Sequence, residues 1–156
     1  MSIDTITNKG RPAEILLVED NHGDVLLTKK AFKNGKVANN ITVAANGIEA
    51  LQALRHEGKF ASTPTPDIVL LDLNLPQKSG RDVLAEIKAD ENLKHIPVVV
   101  LTSSKAELDV VKSYNLHANS YIVKPVNLEK FAEIVQTIEN FWFHIVVLSN
   151  DETKNG

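Results

Sequence analysis

Three short runs in this chain are apolar almost without interruption: Ile15-Leu16-Leu17-Val18, Ile68-Val69-Leu70-Leu71 and Val98-Val99-Val100-Leu101. A strand with one wet face alternates apolar and polar residues. A strand without that alternation is buried on both sides, the mark of a parallel sheet sandwiched between helices. Two more mixed runs, Ile41–Ala45 and Ser120–Val123, read as further strands. The stretches Gly23–Asn34, Gly47–Glu57, Arg81–Ala89, Lys105–Leu116 and Leu128–Phe143 read as helices. Ile48, Leu51 and Leu54 in the second, and Val83, Leu84 and Ile87 in the third, fall at helical spacing. Asn92 and Pro97 bracket a turn before the fourth strand, and Asn127 is placed to cap the last helix. Five strands alternating with five helices predict an open α/β sheet. The connection Gly58–Pro66, with its serine, threonines and prolines, is expected to be an exposed loop. No repeat or low-complexity run interrupts the pattern.

Composition narrows the function. A chain of 156 residues with 43% hydrophobic and 24% charged residues suits one soluble domain with a sizeable core. A net charge of −3 argues against nucleic-acid binding, which asks for a basic stripe. With no cysteine, disulfides, thiolate metal sites and a cysteine nucleophile are all excluded. Residues 1–13 form a polar leader without the apolar stretch of a signal peptide. No run approaches the ~18 apolar residues that read as a membrane span. A cytoplasmic protein that uses no membrane is the resulting expectation.

In open α/β sheets the site lies outside the C-terminal ends of the strands. Glu19, Asp20, Asp72, Thr102 and Lys124 all fall at such ends. Bringing three acids together is costly, because like charges repel and burial raises the cost. A hard divalent cation with oxygen ligands relieves it. Glu19, Asp20 and Asp72 are therefore candidate ligands for Mg²⁺, joined by the backbone carbonyl of Asn74. Asp72 is the candidate nucleophile, since a carboxylate attacking a phosphoryl group gives an acyl phosphate. Lys124 would neutralise the phosphoryl charge, with a cis bond to Pro125 aiming its ammonium inward. Thr102 offers a hydroxyl. Each feature alone has an ordinary explanation: acid pairs often follow strands, threonines cap helices, and Lys-Pro marks turns. Their order along the chain is what points to a shared site.

These motifs are Ile15-Leu16-Leu17-Val18-Glu19-Asp20, Asp72-Leu73-Asn74-Leu75-Pro76 with Gly80, Val100-Leu101-Thr102-Ser103, and Lys124-Pro125. Together they resemble the receiver domain of two-component response regulators, over about Glu14 to Phe141. The resemblance implies a doubly wound, flavodoxin-like (βα)5 fold with strand order 2-1-3-4-5, the domain occupying residues 14–143. It implies that Asp72 accepts a phosphoryl group from a histidine kinase, that Glu19, Asp20 and Asp72 hold Mg²⁺, and that Lys124 contacts the phosphoryl group. Thr102 becomes the switch hydroxyl and Tyr121 the aromatic switch residue. The face built by the fourth helix, fifth strand and fifth helix would then change shape for protein–protein output. Asn74 and Ser104 flank the path of hydrolytic water and are expected to tune phosphate lifetime. Such a protein catalyses only its own aspartyl phosphorylation and dephosphorylation and is not an enzyme on other substrates. The run Asp72–Arg81, the connection Phe60–Pro66 and the ending Ile138-Glu139-Asn140-Phe141-Trp142 resemble the small single-domain regulators of phytochrome-type kinases. The pair Glu19-Asp20 departs from the commoner Asp-Asp, a conservative change that keeps two carboxylates.

The end of the chain is unusually apolar. Leu128, Phe131, Val135, Ile138, Trp142 and Ile145 follow helical spacing, and Ile134, Phe141 and Leu148 widen the stripe. Such a surface either folds back on its own core or meets a partner. A homodimer using Phe141, Trp142 and Ile145 is the preferred expectation, with the first part of the 144–156 extension packed or at that interface. The five histidines, His22, His56, His95, His117 and His144, are scattered and suit surface or loop positions. Three rival functions remain. A degenerate receiver would serve as a phosphorylation-independent scaffold. A phosphohydrolase of the haloacid dehalogenase type would need an acid where Asn74 stands. A flavin-binding module would need a glycine- and hydroxyl-rich loop where this chain has Glu19-Asp20-Asn21-His22-Gly23-Asp24.

Overall fold

The computed structural model describes residues 12–33, 37–75, 78–106, 109, 118, 120–135 and 146–147. Five parallel strands form the sheet: β1 (Ala13–Val18), β2 (Val37–Ala44), β3 (Ile68–Asp72), β4 (Val98–Thr102) and β5 (Ser120–Val123). They lie in the order 2-1-3-4-5, as the resemblance to receiver domains implies. A sixth strand, β6 (Val146–Val147), pairs antiparallel with Val37 and Ala38 of β2. Part of the extension thus lies along the sheet's own edge, an element the sequence reading did not contain. The helices are α1 (His22–Lys33), α2 (Gly47–Arg55), α3 (Gly80–Ala89) and α4 (Leu128–Val135), with a 3-10 turn at Gly58–Phe60. Most of the expected helix 105–116, and the continuation of the last helix to Phe143, lie outside the described residues.

The apolar strands separate two cores, because successive side chains point to opposite faces. On one face Leu16, Val18, Val69, Leu71, Val98 and Val100 pack against α2 and α3 through Leu51, Leu54, Val83, Leu84 and Ile87. On the other, Ile15, Leu17, Ile68, Leu70, Val99 and Leu101 meet Val25 and Phe32 of α1 and Phe131 of α4. Phe32 and Phe131 meet edge-on at 4.8 Å between ring centres, which ties the first described helix to the last. The loop after α2 is exposed in large part, but Phe60 is buried in it.

Local sequence sets the ends of the elements. Asn127 accepts the backbone N–H of Lys130 at 2.8 Å and so caps α4. Helix α2 stops at Arg55, two residues short of the sequence expectation, because His56 takes a left-handed conformation with φ 58°. Strand β2 begins four residues earlier than predicted. Its first half, Val37-Ala38-Asn39-Asn40, is polar enough to look like a turn. Its asparagines are occupied, however: Asn39 donates to the Phe32 carbonyl and Asn40 to the Glu14 carboxylate.

Candidate functional site

The parallel register brings four strand ends, those of β1, β3, β4 and β5, to one rim. Asp72 stands opposite Leu101, so Thr102 lies one residue beyond it on the next strand. Glu19 leaves β1 with its N–H held by the Ala44 carbonyl at 3.0 Å. Lys124 leaves β5 with its N–H held by the Thr102 carbonyl at 2.8 Å. Gly80, the first residue of α3, packs on the back of this rim. A Cβ there would come within 2.5 Å of the Asp72 carbonyl oxygen, and its N–H donates to the Leu73 carbonyl. Glycine is needed here for close approach rather than for an unusual backbone angle.

Carboxylate oxygens of Glu19, Asp20 and Asp72 lie within 4.8 Å of one another. Glu19 and Asp72 are buried and Asp20 is exposed, so the cluster opens to solvent on one side. Burial, and then the hydrogen bond shared with Asp72, push the Glu19 carboxyl up to about 7, against the opposing pull of Lys124. The Lys124 ammonium lies 3.0 Å from Glu19 Oε1, 3.0 Å from Asp24 Oδ2 and 3.1 Å from Asp72 Oδ2. Burial disfavours its charge, but the bonds to Glu19, Asp24 and Asp72 outweigh that and hold its pKa above the ordinary lysine value. One cation therefore faces three carboxylates, with Asp20 a fourth at the rim. That surplus of hard oxygen donors fits a divalent cation.

The expected residues meet in part as foreseen. Glu19, Asp20, Asp72 and Lys124 converge, and the Lys124–Pro125 peptide is cis. The Asn74 N–H donates to Asp72 Oδ1 at 3.0 Å, which fixes one carboxylate oxygen. Thr102 is fully buried, and its hydroxyl donates to the Ser104 carbonyl at 3.2 Å. Tyr121 sits opposite Val100, on the same face as Thr102, and packs half-buried against the α2–α3 core. His22, His56 and His95 are exposed, as expected. Phe141, Trp142 and Ile145 lie outside the described residues. The residue that sequence reasoning missed is Asp24. Its signal was present, since an acid in the first turn of the helix after β1 sits one turn beyond Asp20.

This fold and rim define a receiver. Residues 15–136 match the response regulator receiver domain family, and the chain belongs to it. Among its relatives is the response regulator Rcp1 of Synechocystis sp., 45% identical over 137 residues, covering 88% of this chain and 93% of Rcp1. A Mn²⁺-bound form of Rcp1 has been solved, and it superposes with a TM-score of 0.66 over 88% of this chain and 99% of that one. The bacteriophytochrome response regulator AtBRR is 43% identical, with a TM-score of 0.79 over 85% of this chain and 96% of that one. The phosphorylated cyanobacterial phytochrome response regulator RcpA is 50% identical, with a TM-score of 0.66 over 84% and 94% of the two chains.

Proposed function

We propose that the protein is a single-domain response regulator that takes a phosphoryl group on Asp72 from a phytochrome-type histidine kinase. The observation that carries this reading is the convergence of Asp72 with Glu19, Asp20 and Lys124 at the mouth of the sheet. Its similarity to Rcp1, AtBRR and RcpA supports the choice of kinase class. Asp72 is held for attack by the Asn74 N–H on one oxygen and by Lys124 on the other. The new bond joins an Asp72 oxygen to phosphorus. The phosphorus–nitrogen bond of the donor phosphohistidine breaks, and its electron pair returns to the imidazole. Glu19, Asp20, Asp72 and the Asn74 carbonyl would hold Mg²⁺, whose charge offsets that gathering on the phosphoryl oxygens.

Output follows from the groups beyond Asp72. Thr102 exchanges the Ser104 carbonyl for a phosphoryl oxygen, which vacates space on the face it shares with Tyr121. The Tyr121 ring then repacks, and the surface around β5 and α4 changes shape. This is a two-state element biased by a local charge. A homodimer through Phe141, Trp142 and Ile145 is the partner this reading supplies besides the kinase. The exposed Leu26 and Leu27 of α1, the helix that carries Asp24 to the site, give the kinase an apolar footing. Incubation with a phytochrome-type kinase, ATP and Mg²⁺ tests the reading. Label is expected on wild type and absent from Asp72→Asn. A wild type that stays unlabelled by this kinase and by acetyl phosphate favours the scaffold.

A further inference from the structure

Asp24 occupies the third position of α1, after the cap residue Asn21. Asn21 Oδ1 accepts the Asp24 N–H at 2.9 Å, the usual first half of a reciprocal cap. In the second half, the acid at this position reaches back to the N–H of the cap residue. Here the Asn21 N–H goes to Glu19 Oε2 at 3.3 Å, and the Asp24 carboxylate goes to Lys124, 100 positions along the chain. The helix start thus directs an acid toward the lysine of the site.

A lysine ammonium has three N–H donors and no more. Asp24 and Asp72 each accept one of them, at 3.0 and 3.1 Å, and Glu19 Oε1 crowds the ammonium from its third side as an ion pair at 3.0 Å. An arriving phosphoryl group gains a donor from Lys124 only when one carboxylate gives it up. The three differ sharply in what release costs. The side chains of Glu19 and Asp72 are 2% and 4% exposed, and an unpaired charge at either is expensive. Asp24 is 34% exposed and exchanges the ammonium for water at little cost. We propose that Asp24 is a displaceable counter-ion that occupies one Lys124 donor until a phosphoryl group arrives, and so holds back the rate at which Asp72 accepts it. Asp24 is a positioning residue acting through Lys124, and its role rests on the acceptor reading of Asp72.

Acetyl phosphate with Mg²⁺ is the probe. Its phosphorus bonds to Asp72 as acetate leaves with the electron pair of the broken bond. Labelling rates are compared for wild type, Asp24→Asn, Asp24→Glu, Lys124→Gln and the Asp24→Asn/Lys124→Gln double variant. Asp24→Asn is expected to label about two- to five-fold faster than wild type, the size of an exposed ion pair. The advantage shrinks toward one at about 1 M salt, where screening acts within roughly 3 Å. Asp24→Glu returns the rate toward wild type. With Lys124→Gln, the Asp24 change has no further effect, since the donor it competes for is gone. Equal rates for wild type and Asp24→Asn overturn the proposal. So does an equal acceleration with and without Lys124, which is simple removal of a charge that repels the donor. Labelled wild type with a ratio of one sinks only the counter-ion. Unlabelled wild type sinks the acceptor reading with it.

Discussion

Replacing Glu19 by glutamine removes a buried carboxyl whose proton affinity the fold has raised. In the metal-free protein this group sits at about 7, against 4.5 when exposed to water. Between those values the folded protein holds a proton that the unfolded chain has released. The linked stability is complete below about pH 4.5 and is lost as pH rises through 7. At ~1.4 kcal/mol for each step of pH, the whole effect is on the order of 3 kcal/mol. For a chain of this length that corresponds to roughly 6–12 °C in melting temperature. The assay is thermal unfolding from pH 5 to 8 in chelator, wild type beside Glu19→Gln. The wild type should lose stability relative to the variant across this window, because the amide stays neutral throughout. Adding Mg²⁺ at pH 8 should restore the wild type, the cation taking the place of the proton. It should raise the variant far less. Curves that fall in parallel in chelator would refute the assignment of a shared, raised carboxyl at this position.

Gly80→Ala places a methyl against the backbone of Asp72 and Leu73. It should cost about 1–3 kcal/mol in denaturant unfolding and slow Asp72 labelling, since the shift falls on the proposed acceptor. Leu26→Asp should slow transfer from the kinase while leaving acetyl phosphate labelling near wild type, a split that paired rate measurements would show. Phe141→Ala with Trp142→Ala should give a monomer that still accepts phosphate. Light scattering checks this, and a wild type that is monomeric with and without phosphorylation removes the dimer.

The parts of the fold that were legible are those in which one residue's environment is decided locally. Ile15–Val18, Ile68–Leu71 and Val98–Leu101 have no polar face, and burial on both sides is the only arrangement that suits them. Each run also ends in the polar residue that the sheet delivers to its rim, so Glu19, Asp20, Asp72 and Thr102 could be named together. Asn127 declared its cap, and Lys124-Pro125 its cis bond. What stayed hidden depends on distant partners. The polar start of β2 is a strand because β1 and β6 pair with it, and β6 has only two residues of its own. The length of α2 turned on His56 entering a left-handed conformation that is uncommon for any residue but glycine. Asp24 looks like an ordinary first-turn acid until the fold carries Lys124 to it. Nothing local tells which acceptor the Thr102 hydroxyl takes, because the Ser104 carbonyl and a phosphoryl oxygen both suit it.

Locating the phosphoryl group is the most direct test of the account. Wild type and Asp72→Asn are treated with acetyl phosphate and Mg²⁺, reduced with borohydride to trap any acyl phosphate, digested, and read by mass spectrometry. The account predicts that the peptide containing Asp72 is reduced in the wild type and that no other carboxylate is trapped in either protein. A trapped residue elsewhere, or equal trapping in Asp72→Asn, would contradict it.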